Sequence, residues 1–217
     1  MNLLKRLLPE FVRFKLRTFE KAIKYSFRKI IIQFPIFFNR PMKVIVGAAL
    51  TYQRGWYSTN QQWLDISNPN DWNKVFKRKQ LITNILAEHV FEHLSLKDLK
   101  IAINLIHSHM KKGGILRIAV PDGYNSNLTY LKNVGINGIG PDASDHKQLF
   151  NYDTLHSILK NAGFRPSLVE GFNKKGRLNL KKWEASEGYV RRSRKNNKII
   201  CSYTDENTSL IVDAIKL

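Results

Sequence analysis

Residues 113–123 read GGILRIAVPDG, and the middle of this stretch, ILRIAV at 115–120, is the strongest strand candidate of the chain. Pro121 ends the strand, because proline cannot donate a hydrogen bond to a β-ladder. Two other apolar runs predict strands, namely KVIV at 43–46 and LITNILA at 81–87. Three such runs at these spacings predict a sheet at the centre of the domain.

Helical segments alternate with these strands. A helix is predicted over 96–111, where Gly113 and Gly114 stop it, and residues 123–145 are glycine-rich and predicted to be irregular. The remaining predicted elements are a helix over 72–77 capped by Asp71, a helix from Asp153 or Thr154 to Asn161, weak strands over 56–59 and 63–66, and late strands over 165–172 and 209–216. This alternation predicts an α/β domain with a largely parallel sheet, in which ligands bind beyond the carboxyl ends of the strands.

Composition excludes several classes of protein. The chain has 217 residues, 43% of them apolar, so it can bury a core and is not disordered. Its single cysteine, Cys201, excludes an intrachain disulfide framework and a multi-cysteine metal site. The sequence contains neither a G-x-S-x-G elbow nor a Walker A lysine loop, which excludes the corresponding serine hydrolases and nucleotide triphosphatases.

The net charge of +19 is concentrated in two segments. Residues 1–41 carry +8, residues 174–198 carry another +8, and the remainder carries only +3. We therefore divide the chain into a basic amphipathic N-terminal segment, 1–41, and a domain over 42–217 with a basic insertion at 174–198. A charge placed in this way predicts docking to an anionic surface or acceptor.

The N-terminal segment has a helical period. An apolar stripe repeats every three or four residues, at Leu4, Leu8, Val12, Leu16, Phe19, Ile23, Phe27 and Ile30. Basic residues fall on the other side, at Arg6, Arg13, Arg17, Lys21, Lys24 and Arg28. Pro9 fits the first turn, and Pro35 is predicted to end the helix. Its longest apolar run, from Ile30 to Phe38, is too short for a membrane span and is interrupted by Gln33 and Pro35. The recurring charges and the lack of a small-residue cleavage site oppose a signal peptide. It is either an in-plane anchor, with residues 1–38 on an anionic membrane, or a stripe that packs on the domain or a second subunit.

Two motifs follow predicted strands. Gly47-Ala48-Ala49 offers small residues where a backbone could approach a ligand, although it is a weak match to a glycine-rich loop. His89-Val90-Phe91-Glu92-His93 has the H-x-x-E-H spacing of some zinc proteases. It leaves a buried strand in a small α/β domain, which is the wrong context for proteolysis, so we predict a helical turn with Phe91 and its apolar neighbours inward. No metal site is predicted.

Two loops carry candidate acid–base groups. Asp122 follows the strongest strand and could act as a base, or could belong to an ordinary Pro-Asp-Gly turn. Asp145-His146-Lys147 places a carboxylate beside an imidazole, which can tune a general base. Equally, this tripeptide could anchor the entry to the next helix.

Taken in order, these pieces resemble the class I S-adenosylmethionine-dependent methyltransferases, and in particular a bacterial branch. The motifs that carry the resemblance are Gly47-Ala48-Ala49, Gly55-Trp56, AEHVFEHL at 87–94, GGILRIAVPDG at 113–123 and Asp145-His146-Lys147. The resemblance covers about residues 43–173 and the closing strand. It implies a Rossmann-like fold with a mostly parallel central sheet, preceded here by an amphipathic helix.

The resemblance also implies roles for individual residues. S-adenosylmethionine would be bound by Gly47, Ala48, Ala49, Asn60, Asp65, Ala87 and Glu88. Asn60 stands where the family has an acidic residue for the ribose, and Ala49 where it prefers glycine. The residues that would face the acceptor are His89, Asp122 and His146.

Three functions follow for testing. The first is methylation of a saccharide, glycolipid or other small cell-envelope acceptor by a cytoplasmic enzyme, peripheral at the inner membrane face. The second is methylation of RNA, which the basic insertion 174–198 with Trp183 and Tyr189 would suit. The absence of an N/D-P-P-aromatic signature opposes methylation of base amino groups, so nucleic acid is the less favoured partner. The third is a non-catalytic binding module. The sequence leaves the oligomeric state open.

Overall fold

The computed structural model describes residues 10–49, 51–77, 80–194, 196 and 208–217. Its helices are α1 (Glu10–Ile31), α2 (Gln33–Phe37), α3 (Pro69–Val75), α4 (Leu96–His109), α5 (Leu128–Val134) and α6 (Tyr152–Asn161). Its strands are β1 (Met42–Val46), β2 (Tyr57–Ser58), β3 (Ile82–Glu88), β4 (Met110–Pro121), β5 (Phe164–Phe172), β6 (Leu178–Leu180) and β7 (Ser209–Lys216). Single 3-10 turns occur at Phe91–His93 and Ala185–Glu187.

The seven strands form one sheet in the order β2-β1-β3-β4-β7-β5-β6. Strands β2, β1, β3 and β4 pair in parallel, and β7 pairs antiparallel with both β4 and β5. Strand β6 pairs antiparallel with β5, so β6 and β7 run against the direction of all the other strands. The predicted α/β class, the mostly parallel sheet and the Rossmann-like class I fold are confirmed.

The sheet buries an apolar cluster on each face. The larger cluster lies under the helices and includes Trp72, Ile85, Leu99, Ile118 and Leu155. The smaller one lies on the opposite face, because successive side chains of a strand point to opposite faces. Its members are Ile45, Ala48, Trp56, Leu86, Ala119, Val169, Val190 and Ile211, with Trp183 packed against them. Part of the basic insertion thus covers the second face of the sheet.

Helix α4 ends at His109, and β4 begins at once with Met110. The prediction that Gly113 and Gly114 stop the helix is therefore wrong. Both glycines belong to the strand, where Gly113 has φ +76° and a Cβ at Gly114 would lie 2.8 Å from the carbonyl oxygen of Thr83. The glycines permit an irregular start of β4 against β3, where the register shifts after Ile82.

Four other local predictions need correction. Residues 63–66 form turns rather than a strand. Asn68 caps α3, and the Asp71 carboxylate, one turn later, accepts from the backbone N–H of Asp65. Helix α6 is capped by Asn151, whose side chain and Thr154 form a capping box. Helix α5 lies within the stretch predicted to be irregular, because Asn127 supplies its N-cap.

The N-terminal helix ends one turn earlier than predicted. The ring of Pro35 conflicts with the carbonyl of Ile31, four residues before it, and α1 ends there. Pro35 instead lies in the first turn of α2, where its missing N–H costs nothing. Ile32 and Ile36 belong to the larger core cluster, so the end of the N-terminal segment is part of the domain's own core.

The apolar stripe of α1 points away from the domain. Its large members within the described residues are all exposed, namely Val12, Leu16, Phe19, Ile23, Phe27 and Ile30. The opposite side of the helix contacts the body through the half-buried Tyr25 and Arg28. Packing of the stripe on its own domain is therefore contradicted, whereas the in-plane anchor and packing on a second subunit both stay predictions. No helix of the described part of the chain is long and apolar enough to cross a membrane.

Candidate active site

A cavity of about 500 Å³ opens beyond the carboxyl ends of β1, β2 and β3. Parallel α/β sheets bind ligands at this edge, and the volume is in the range of small-molecule sites. The lining residues are Tyr25, Gly47, Ala49, Asn60, Gln61, Gln62, Leu64, Asp65, Ile66, Ser67, His89, Val90, His93, Leu94, Asp98, Asp145 and Lys147. Most of them follow a strand end or belong to the 145–147 loop.

The loop after β1 brings its backbone close to the cavity. Gly47 has φ +59°, and a Cβ there would lie 2.6 Å from Cγ2 of Val90, so only glycine fits. Ala49 also has a positive φ, of +45°. The described residues between β1 and β2 form no helix, and Arg28 of α1 binds this loop instead. Its guanidinium donates to the carbonyl oxygens of Ala49 at 2.7 Å and Thr51 at 3.2 Å.

Asn60 and Asp65 provide polar groups at the other side of the cavity. Asn60 is 2% exposed, and its Nδ2 has no hydrogen-bond partner in the described structure. A buried amide donor without a partner is costly, and a ligand hydroxyl would satisfy it. Asp65 accepts from the backbone and hydroxyl of Ser67 through Oδ1 alone. Asn60, Asp65 and the turn at Gly47 together fit a nucleoside that carries a polar tail. S-adenosylmethionine is such a molecule.

Three predicted cofactor residues do not line the cavity. Ala48 is buried, and its N–H donates to the carbonyl of Thr59 at 2.9 Å, so it joins β1 to β2. Ala87 is buried in the core between paired strands. Glu88 accepts from the backbone N–H of Arg192 at 2.8 Å, and burial raises the pKa of Glu88 despite that bond. Each of the three takes part in the packing or hydrogen bonding of the fold, and none lines the cavity.

His89 lies at the end of β3 and faces the cavity. Its φ of +52° turns the chain sharply, its Nδ1 is 2.9 Å from Oε1 of Glu92, and its Nε2 is 3.0 Å from Oγ of Ser209. Glu92 is fully buried. Burial alone would raise the pKa of Glu92, but the hydrogen bond and the charge of His89 outweigh it, and the pKa lies below its ordinary value. A carboxylate thus orients this imidazole.

The 145–147 loop packs against the 3-10 turn at Phe91–His93. The backbone N–H groups of Lys147 and Gln148 donate to the carbonyl of Glu92, which holds the loop against residues 91–93. Asp145 does not pair with the adjacent His146, since its Oδ1 lies 3.0 Å from Nδ1 of His93. His146 is buried beside His93, with ring centroids 4.8 Å apart, and its Nδ1 lies 2.8 Å from the carbonyl oxygen of Val134. His146 therefore stands behind the cavity wall.

Asp122, a predicted catalytic residue, is not brought to this cavity. It is fully buried at the end of β4, where its Oδ2 accepts from the N–H of Phe172 at 2.7 Å and its Oδ1 from that of Tyr124 at 2.9 Å. Burial raises the pKa of Asp122 to about 6, although both bonds favour the carboxylate. The two oxygens tie β4 to β5 and to its own turn, so the structure places Asp122 away from the cavity lining, and its catalytic role stays a prediction.

Several lining residues carried no sequence signal. Gln61 and Gln62 directly follow Asn60, and Asp98 lies in the first turn of α4. Tyr25 comes from the N-terminal helix, whose sequence predicts docking or packing and not a part in the site. Lys147 and His93 belong to motifs that the sequence does show, but the motifs alone favoured their neighbours as site residues.

Comparison with known proteins identifies the family of the chain. The pattern of the family described as "Methyltransferase domain" matches residues 36–168, which is more than half of the chain. The chain belongs to this methyltransferase family. The methyltransferase is therefore an enzyme that uses S-adenosylmethionine, and a non-catalytic module is disfavoured. None of the curated proteins matches its sequence.

Solved structures resemble the methyltransferase in general arrangement. A SAM-dependent methyltransferase from Archaeoglobus fulgidus is 17% identical, with a TM-score of 0.49 over 93% of this chain and 99% of that one. A possible histamine N-methyltransferase from Thermotoga maritima is 15% identical, with a TM-score of 0.47 over 95% and 98%. Magnesium protoporphyrin IX methyltransferase from Synechocystis PCC 6803, solved with bound SAH, is 10% identical, with a TM-score of 0.42 over 97% and 89%.

Proposed function

We propose that this methyltransferase transfers a methyl group to a hydroxyl of a saccharide, glycolipid or other small cell-envelope acceptor, while α1 docks it on an anionic membrane. The observation that carries the proposal is the exposed apolar stripe of α1, a helix whose opposite side contributes Tyr25 to the cavity. The cavity wall supports a hydroxyl-rich acceptor, since Gln61, Gln62 and Asp98 offer amide and carboxylate partners for hydroxyls.

Bound S-adenosylmethionine supplies an electrophilic methyl group. The chain's residues must position the acceptor and take its proton. His89 has the geometry to take the proton, because Glu92, 2.9 Å from Nδ1, favours the tautomer with its proton on Nδ1 and leaves Nε2 to accept. Ser209 Oγ lies 3.0 Å from that Nε2, and an acceptor hydroxyl would take a place near it. Nε2 would accept the proton of the hydroxyl while the oxygen gains the methyl carbon, the carbon–sulfur bond breaks and S-adenosylhomocysteine is left.

The membrane part of the proposal rests on the two sides of α1. Phe19, Ile23 and Phe27 are 53–65% exposed and lie on one side of the helix. Lys15 and Lys24 are exposed and flank that side, as basic residues flank the buried face of in-plane helices. Phe34, Phe37 and Phe38 of the next turn are also exposed and extend the apolar surface.

We expect the full chain to float with liposomes that contain anionic lipid, and the triple variant Phe19→Ser, Ile23→Ser, Phe27→Ser to bind at least about tenfold more weakly. Each substitution removes an apolar side chain worth about 1.5–3 kcal/mol when fully buried. A matched control replaces three exposed apolar residues of the body, Ile136, Ile139 and Leu180, by serine. Equal flotation of both triple variants, or no flotation of the wild type, would remove the membrane from the proposal. Dimer loss by light scattering in the α1 variant would indicate a second subunit instead.

The acceptor is tested with methyl-labelled S-adenosylmethionine. Membrane lipids that carry saccharides, saccharide-free phospholipids and total RNA are offered separately to the full chain, and we expect label only in the first fraction.

His89→Asn should lower this transfer by about 100-fold, because it removes the base. Asparagine tolerates the positive φ, so the affinity for S-adenosylmethionine should stay unchanged. Label in RNA alone would support the second candidate function, and an unchanged rate for His89→Asn would exclude it as the base.

A further inference from the structure

Glu92, His93 and His146 form a cluster whose possible ligand atoms all lie within 4.8 Å of one another. We infer that this cluster is a binding site for a divalent transition metal of the Zn²⁺ type in the wall of the methyltransferase's cavity. Two imidazoles and one carboxylate are donors that such ions take, and hard ions such as Mg²⁺ prefer oxygen alone. Donors on one zinc ion lie roughly 3–4 Å apart, so the three side chains need to close by about 1 Å.

The carboxylate of Glu92 is the first argument for the site. It is fully buried, its Oε1 faces His89, and its Oε2 has no hydrogen-bond partner in the part of the chain that the structure describes. An ionised oxygen buried without a donor is expensive. A cation between Glu92 and the two imidazoles would offset that cost.

Each of the two imidazoles has an oxygen partner at its Nδ1, as ligating histidines usually do. Nδ1 of His146 lies 2.8 Å from the carbonyl oxygen of Val134, which fixes a proton on Nδ1 and leaves Nε2 as the coordinating atom. His93 has the Asp145 carboxylate 3.0 Å from its Nδ1. Carbonyl and carboxylate partners of this kind orient ligating histidines and raise their basicity.

Sequence spacing alone pointed to a different set. The H-x-x-E-H pattern would use His89 and His93 as the pair of imidazoles, but residues 91–93 form a 3-10 turn and His89 is directed to Ser209. His146 comes from the 145–147 loop, which the Glu92 carbonyl holds through two backbone N–H groups. The site is therefore assembled from two sequence motifs rather than from one.

Three protein ligands leave a coordination position open. Because His93, one of the three ligands, lines the cavity, we expect the open position to be reached by the acceptor from that side. An ion there lowers the pKa of a bound hydroxyl. Only this consequence rests on the proposed function. Binding of the ion itself does not.

The test uses tag-free full-length protein after dialysis against a chelator. We expect one equivalent of Zn²⁺ to bind in calorimetry, Mg²⁺ to give no comparable heat, and Co²⁺ to develop the visible absorption of a low-coordinate nitrogen–oxygen site. Glu92→Gln and His146→Ala should weaken Zn²⁺ binding at least about 100-fold, and Asp145→Asn about 10-fold. His156→Ala, on α6 and outside the cluster, is the matched control and should bind like the wild type.

The Co²⁺ spectrum of the wild type decides the outcome even where a variant unfolds. An octahedral, aqua-like spectrum, or binding that His156→Ala lowers as much as His146→Ala, would overturn the site. Failure of the wild type to bind zinc, together with normal label transfer, would overturn this inference alone. Zinc binding without transfer to a saccharide lipid would overturn the acceptor proposal alone.

Discussion

Gly47→Ala should lower the affinity of the methyltransferase for S-adenosylmethionine by at least about 30-fold in calorimetric titration. The substitution forces an L side chain into φ +59°, and its Cβ would lie 2.6 Å from Cγ2 of Val90. Left-handed strain costs about 1–2 kcal/mol and overpacking about 1–3 kcal/mol. The loop would relieve the strain and the clash by moving out of the cavity, and cofactor binding would then have to restore its position.

Two further variants separate the clash from the strain. Gly47→Ala with Val90→Ala removes the clash alone, and the affinity should recover by about tenfold while staying below that of the wild type. Gly113→Ala places the same strain at φ +76° with no atom within 4 Å, far from the cavity, so stability should fall by about 1 kcal/mol without any change in affinity. Wild-type affinity in Gly47→Ala would remove this loop from the cofactor site.

The sequence predicts the strands of the sheet well because their signal is local. KVIV, LITNILA and ILRIAV are continuous apolar runs, and each lies in a strand that differs by a few residues at most from the prediction, apart from the early start of β4. Helix ends are predicted less well. At Asn68 and Asn151 the capping side chain precedes the predicted cap by two or three residues, since several Asx or Thr candidates lie within one turn and only the folded chain selects one.

The residues of the site also divide into those that the sequence predicts and those that only the folded chain selects. Gly47, Ala49 and His89 belong to motifs that directly follow predicted strands, whereas Asn60 and Asp65 were implied only by the family resemblance. All five line the cavity. Proximity to a strand end is necessary but not sufficient. Asp122 follows a strand too, and yet two backbone N–H groups, one of them from a strand fifty residues later, bind its oxygens, a competition that no local pattern reveals.

Long-range pairing also decides what His93 and Arg28 do. The partner of His93 is Asp145, and the partners of Arg28 are loop carbonyls at residues 49 and 51. Helical periodicity placed Arg28 correctly on the polar side of α1. It could not show that this side lies on the domain and that the apolar side is the one left exposed, because periodicity gives the faces of a helix but not its neighbours.

Arg117 lies in a strand that the local sequence predicts, but its partners are distant in sequence. Its replacement should have the largest effect on stability. It lies in the middle of ILRIAV, is fully buried, and forms two bonds of 2.7 Å to the Asp213 carboxylate on β7. Its Nη1 donates to the carbonyls of Glu184 and Gly188, and its guanidinium lies over the ring of Trp183. Arg117→Met should lower the free energy of unfolding by about 3–5 kcal/mol, because a partly buried carboxylate and two carbonyls lose their partner.

Urea denaturation measures that loss, and a second substitution identifies its cause. Arg117→Met with Asp213→Asn removes the uncompensated charge, so we expect the double variant to be more stable than Arg117→Met by about 1–2 kcal/mol. Hydrogen exchange at residues 184–190 should be faster in both variants, since Arg117 attaches this part of the basic insertion to the sheet. Unchanged exchange would mean that the apolar contacts of Val190 and Trp183 suffice to hold the segment, and equal stabilities of the two variants would mean that the Asp213 charge is already relieved by water.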